Sequence, residues 1–277
     1  MSNGPRTVLL VWLRKRVFVC GLLWAAVVGI SSPCQAHQKW LWPNRFALEK
    51  PPIWISFDVT WSDQPFAADT GVNDKPITVV DPEGRSSAPD RTFIGKTKST
   101  AESELRQEGT YRLESIDPLT YWTQIEKDGQ PQWLKQPKGA VTNEKVTRSD
   151  LYWSKALAYV TVGKSTPPLP LDADPLAIVP ATHPNEILAG TPVEFKVLSY
   201  GKPLERAELK VFDRNATNHE PSKTIKCDDQ GVGKLQFETP GLHLVTCQLE
   251  HEVKDDPKAD IHSFNVYLTL MVQPAKK

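Results

Sequence analysis

The sequence predicts an all-β protein: two antiparallel, immunoglobulin-like β-sandwich domains that follow a signal peptide. Three observations carry this. Short runs with two-residue alternation of apolar and polar side chains recur at the spacing of about 8–12 residues typical of sandwiches. The 277 residues include 24 prolines, which suits many short strands and argues against a helical bundle. The one long apolar run lies near the start, behind a basic cluster, where a secretory signal belongs.

Residues 1–36 contain Arg6, Arg14, Lys15 and Arg16 and no acidic residue, continue as "VFVCGLLWAAVVGI" and end in "SSPCQA". The apolar stretch is shorter than the roughly 20 residues needed to span a bilayer, so cleavage after Ala36 is expected, with an uncleaved anchor as the alternative. The exported chain then starts at His37 and localises to the periplasm or outside the cell. It retains 29 Lys and Arg against 33 Asp and Glu and has no basic stripe, which argues against nucleic acid as a partner. No later segment is apolar enough to span a membrane as a helix. Only Cys227 and Cys247 remain after cleavage; an oxidising compartment allows them one disulfide, and two buried thiols are the alternative.

The first domain is expected over 37–163. "IWISFDVTW" places Ile53, Ile55, Phe57, Val59 and Trp61 on one face of a strand. "ITVVDPEGR" reads as a strand running into a turn, and "GTYRLES" and "ALAYVTVG" as further strands. The polar stretch 123–150 reads as a long loop, and "SDLYWSKALA" as opening with a helical turn capped by Ser149 or Asp150. Four prolines in "GKSTPPLPLDADP" mark 164–176 as a stiff linker. The second domain, 177–273, follows with "TPVEFKVLSYGKPL", "AELKVFDR", a hairpin around Asp229-Gln230-Gly231, and a closing pair "LHLVTCQLEH" and "HSFNVYLTLMV".

The closing pair carries the best candidate site. On 242–251 the odd positions Val245, Cys247 and Leu249 are apolar, and His243 and His251 share their face. On the last strand the even positions Phe264, Val266, Leu268 and Leu270 are apolar, and His262 shares theirs. Superposing the apolar faces requires paired residue numbers with an odd sum, because a one-residue slip flips a strand. A turn centred on Asp256-Pro257 makes that sum 513 and sets His251 opposite His262, with Cβ atoms about 4.5–5.5 Å apart. Two imidazoles so placed can share a metal, with Glu252, Asp255, Asp256 and Asp260 nearby; equally, they can cap the sandwich edge and bond carboxylates. His183 and His219 read as solvated loop residues. No nucleophile elbow, phosphate-binding glycine loop or Cys-x-x-Cys is present. The seven tryptophans after residue 36 all lie in the first domain; they pack a core or present an aromatic platform for sugars.

"AHQKWLWPNRFALEKPPIWISFDV", "GTYRLES", "SDLYWSKALAYVTVG", "PLAIVP", "LAGTPVEFKVLSYGKPLERAELKVF", "DDQGVGKLQFETPGLHLVTCQLEH" and "SFNVYLTLMV" together resemble the exported domain-of-unknown-function family numbered 4198, over 37–272. The second half is also similar to carboxypeptidase-regulatory and transthyretin-like sandwiches. The resemblance implies a periplasmic β-sandwich associated with nickel or cobalt uptake. His37 matches the family's leading His and His251 its late strand His. Asp260-Ile261-His262 departs from the family's Asp-Trp pair, and the stretch 123–145 is atypical.

The expected function is therefore non-enzymatic binding of a divalent transition metal (nickel, cobalt, copper or zinc) in support of an uptake transporter. His37, through its α-amine and imidazole, His251 and His262 are the expected ligands. The alternatives are a metal-free structural or carbohydrate-binding module and a copper oxygenase built on an amino-terminal histidine brace. Intact mass of the exported protein checks the first step: the expected species begins at His37, and retention of residues 1–36 would remove the amine ligand.

Overall fold

The computed structural model describes residues 38–72, 76–214 and 220–276. The expected signal segment, His37 and His219 lie outside the described residues. Nineteen strands are described, in three sheets. The first contains β1 (Gln38–Pro43), β3 (Ile53–Ser62), β4 (Thr70–Gly71), β7 (Arg91–Ile94) and β8 (Ser99–Leu105), in the order β1-β3-β8-β7 with β4 on β3.

The second contains ten strands. Those before the proline-rich stretch are β2 (Ala47–Leu48), β5 (Ile77–Val80), β6 (Ser86–Ser87), β9 (Gly109–Lys127), β10 (Gln130–Leu134) and β11 (Lys145–Val162). Those after it are β15 (Glu208–Asp213), β16 (Lys223–Lys226), β18 (Gly241–Glu252) and β19 (Ile261–Val272). The third sheet contains β12 (Ala177–Pro180), β13 (Pro192–Ser199), β14 (Lys202–Pro203) and β17 (Val232–Gln236).

The ten-stranded sheet is the middle layer, and its two faces bury different cores. Ala156, Ala158, Val160 and Val162 of β11 pack with Trp40, Leu41, Phe57 and Val59 of the first sheet. The intervening Leu157 and Tyr159, with Phe264, Val266 and Leu268 of β19, pack with Ile178, Val193, Phe195 and Val197 of the third. This is an all-β, immunoglobulin-like sandwich architecture in which one sheet serves both cores. The two halves meet through β11 and β19, which pair in parallel from Asp150↔Ile261 to Ala158↔Thr269. The strand pairings are otherwise antiparallel, as expected, apart from that of β11 with β2; a parallel pair needs a long crossover, and between β11 and β19 the whole second core forms it.

Several local expectations also change. The segment 149–158 is strand, not a helical turn, because Ser149 and Asp150 are buried and their side chains bond Thr123 and Arg148. The stretch 123–150 is an arm in which β10 and the start of β11 pair with β9, around a short 3-10 turn at Lys138–Ala140. The strands flanking Asp228–Gly231 do not pair with each other. β16 joins β15 in the middle sheet and β17 joins β13 in the third. The proline-rich 164–176 is packed down, with Leu171 and Leu176 in the second core. Cys227 and Cys247 are free, buried thiols, and burial pushes the Cys247 thiol up to about 12.

A buried lysine sits within the middle sheet. Lys155 projects from the centre of β11 and donates to Glu114 Oε1 (3.0 Å) and Asp174 Oδ2 (2.6 Å). Burial alone would raise the Glu114 pKa, but the charges of Lys155 and Arg112 overcome it and hold it below the ordinary carboxylate value. At Asp174 burial wins and the pKa is raised despite Lys155. Replacing Lys155 with Met leaves these two carboxylates against a neutral stem, so the expected loss is about 3–5 kcal/mol of stability, read by urea unfolding. A loss below about 1 kcal/mol, the range of exposed pairs, would contradict the assignment.

Candidate functional site

The register of the closing hairpin places His251 directly opposite His262, as the sum of 513 requires. Their ring centroids are 4.9 Å apart in an edge-on arrangement, and both rings approach Phe264 (6.2 and 5.8 Å) at the rim of the second core. His262 Nε2 is buried and lacks a hydrogen-bond partner. Asp256 Oδ2 lies 3.8 Å from it, while Asp256 Oδ1 accepts the Lys258 amide of the turn. Two donors bound to one zinc at about 2.0–2.1 Å in tetrahedral geometry stand roughly 3.3 Å apart, so a small movement of the turn would bring this pair to bonding range.

The other expected carboxylates are placed differently. Asp260 is taken by Lys138 Nζ (2.5 Å), and Glu252 stands across from Ile261, on the next rung. Among the described residues no group of three His, Cys, Asp or Glu converges to hold an ion. Gln38, which follows His37 in the chain, pairs with Ser62 in the first sheet. That sheet covers the face of the middle layer opposite to His251 and His262. His183, expected to be solvated, is instead structural: its Nδ1 accepts from the Asn185 amide and its Nε2 is 2.9 Å from Thr110 Oγ1. His243 is buried beside Asp213 and Phe237.

The first face of the middle sheet carries a second, better-formed concavity. A cleft of about 480 Å³ is lined by Trp61, Asp117, Thr120, Trp122, Trp133, Asp150 and Tyr152. Its floor is the part of β9 and β11 that runs beyond the cover of the first sheet. Ser154 faces Asp117, Tyr152 faces Thr120 and Asp150 faces Trp122 along that floor. A register shift between Tyr152 and Ser154 inserts one extra residue in β9 at Pro118-Leu119. Without that bulge Asp117 and Trp122, five residues apart, would point to opposite faces; with it they share one. Proline has no amide to lose from the ladder and so suits the position.

Both carboxylates of the cleft are charge-balanced. Asp150 accepts from Arg148 Nε at 2.8 and 2.9 Å; burial nonetheless raises its pKa. Asp117 Oδ2 accepts from Lys39 Nζ at 3.2 Å and from Ser154 Oγ at 2.5 Å. Lys39 is wholly buried, also donates to the Ser115 carbonyl, and its ammonium lies 5.4 Å from the Trp61 ring centre. Burial pushes the Tyr152 phenol far up, so it stays protonated. The alternation of "IWISFDVTW" placed Trp61 with the apolar face of β3; what alternation could not show is that this face runs out of cover at Trp61.

Residues 34–251 match the model of the family described as Domain of unknown function (DUF4198), and the chain belongs to that family. No curated protein matches the chain. Among solved structures, the D0-D1 domain of intimin aligns at 13% identity and a TM-score of 0.21, over 84% of this chain and 97% of that one. An Escherichia coli alpha-2-macroglobulin activated by porcine elastase aligns at 14% and 0.23, over 87% of this chain and 20% of that one. The human OSCAR ligand-binding domain aligns at 12% and 0.21, over 86% and 100%. No helix among the described residues is long and apolar enough to cross a membrane.

Burial and the neighbouring charge of His262 lower the His251 pKa. The NMR titration midpoint of His251 is therefore expected below the ordinary value of about 6.5. His262→Asn should move it upward but only part of the way, because burial is the larger cause; a midpoint at or above the ordinary value in the unsubstituted protein would contradict the pairing.

Proposed function

We propose that the protein is an exported, non-catalytic binder of a divalent transition metal of nickel or cobalt type, acting in the periplasm or outside the cell and passing its ion to an uptake transporter. The observation that supports this reading is the directly opposed His251–His262 pair with a buried, unpartnered imidazole nitrogen. An unpaired buried nitrogen costs free energy unless something bonds it, and a metal is one such partner. The two opposed imidazoles, with the Asp256 carboxylate 3.8 Å from His262 Nε2, are an open, incomplete set of donors. An open set leaves positions for water or for a ligand from a receiving protein, which suits a carrier better than a closed structural site. Nitrogen donors accept nickel, copper and zinc as well, and availability selects among them.

His37 enters this reading as a separate ligand candidate, since β1 leads away on the other face of the middle sheet. Calorimetric titration of the exported protein with nickel, cobalt, copper and zinc chlorides tests the proposal. Binding is expected, with at least about tenfold loss in His251→Ala and in His262→Ala and release as pH falls through the histidine range. Binding that is abolished only by His37→Ala would move the site to the start of the exported chain. No binding of any of the four ions would refute the reading.

A further inference from the structure

The tryptophan-lined cleft is not used by the metal reading, and its chemistry points to a different class of ligand. Trp122 is half-buried and Trp133 is 44% exposed, although each presents a large apolar ring. Neither ring contacts another aromatic ring among the described residues. Trp61, by contrast, is pinned as a wall: Tyr267 meets it edge-on at 6.0 Å, and the Lys39 ammonium is 5.4 Å from its ring centre. Rings left open at a lined cavity are what a ligand with flat apolar faces would cover.

The polar groups decide which ligand. An organic cation over aromatic rings is favoured by uncompensated negative charge, but each carboxylate here already faces a cation, Asp117 facing Lys39 and Asp150 facing Arg148. An anion would meet two carboxylates. A purely apolar ligand would cover the half-buried Thr120 and Tyr152 without giving their hydroxyls new partners, beside Asp117 and Asp150, which are already buried. What remains is a neutral molecule that donates several hydrogen bonds and presents C–H faces. A carbohydrate has both properties. The volume of about 480 Å³ falls within the usual range of about 300–1,000 Å³ for ligand sites. The floor from Asp117 to Trp122 spans two steps of two residues on β11, roughly 13 Å at strand spacing, which accommodates more than one sugar ring.

We propose that this cleft binds a neutral oligosaccharide, its rings stacked on Trp122 and Trp133 and its hydroxyl groups donating to Asp117 and Asp150. The site is independent of the His251–His262 pair, from which the middle sheet separates it.

The test is titration of the exported protein with cellohexaose, chitohexaose, xylohexaose, laminarihexaose and mannohexaose, followed by calorimetry and tryptophan fluorescence. At least one hexasaccharide should bind, with a fluorescence change. Trp122→Ala and Trp133→Ala should each weaken binding about tenfold or more, while Trp133→Phe keeps most of it and His251→Ala leaves it unchanged. Circular dichroism checks that the variants fold; both side chains reach the surface, so a folded double variant is available. Three results would overturn the proposal. One is no binding of any of the five hexasaccharides. Another is equal binding by the folded Trp122→Ala/Trp133→Ala protein. The third is saturation of the cleft by choline or spermidine alone.

Discussion

A single sheet must be buried on both faces, and the rest of the architecture answers to that demand. β11 sits near the middle of the ten strands, hydrogen-bonded to β9 on one side and to β19 on the other. From Ala156 to Val162 it has no solvent-facing position, so the stretch ALAYVTV is apolar or small almost throughout. That is the pattern of strands covered on both sides. Its small even-numbered residues, Ala156 and Ala158, lie under the first sheet; the large odd-numbered Leu157 and Tyr159 fill the second core. Lys155 breaks the run. It is tolerated because Glu114, one strand away, and Asp174, from the proline-rich connection, supply opposite charge at bonding distance. The connection therefore tethers the third sheet to the middle one as well as covering distance.

Where the covering sheets stop, the faces of the middle sheet become available. The Asp150–Leu151 end of β11 extends past both. On one face Asp150 and Tyr152 line the tryptophan cleft; on the other Leu151 stands in register with His262. The cleft floor is on β9 and β11 and His262 is on β19, the next strand to β11, so the two candidate sites sit at the same end of the middle sheet on opposite faces. The bulge at Pro118-Leu119 is what lets one of them form. It carries β9 from odd-numbered to even-numbered residues on the cleft face, so Asp117 from the buried part and Trp122 from the arm look into the same space.

How much of this was legible in the sequence depended on range. Alternation located β3, β13, β15, β18 and β19; the facing of Val245, Cys247, Phe264 and Val266 required an odd pairing sum, and a turn at Asp256-Pro257 picked the register that joins His251 to His262. Those features depend on neighbours within one hairpin. The parallel pairing of β11 with β19 depends on residues more than a hundred apart, and no local period encodes it. The arm over 123–150 looked like a loop because its strands face water on much of their surface and so lack the apolar half of the alternation. The cleft was half-visible: the tryptophans stood out, but strict two-residue alternation puts Asp117 and Trp122 on opposite faces, and only the bulge brings them onto one.

Register links the two faces more tightly than separation suggests. Because side chains alternate, sliding β19 by one residue against β18 would part His251 from His262 and turn Phe264, Val266 and Leu268 out of the second core. The same slip would bring them against the first, where Ser263, Asn265 and Thr269 now sit as buried polar groups beside Tyr267. The cost is therefore counted in two cores at once. A strand with one solvated face loses only a single set of contacts when it slips; a strand shared by two cores has no inexpensive alternative register. The double burial that restricts the composition of β11 and β19 also holds the His251–His262 pair and the cleft floor in place, alongside ion pairs between strands such as Lys155–Glu114 and Lys145–Glu126 from β11 to β9.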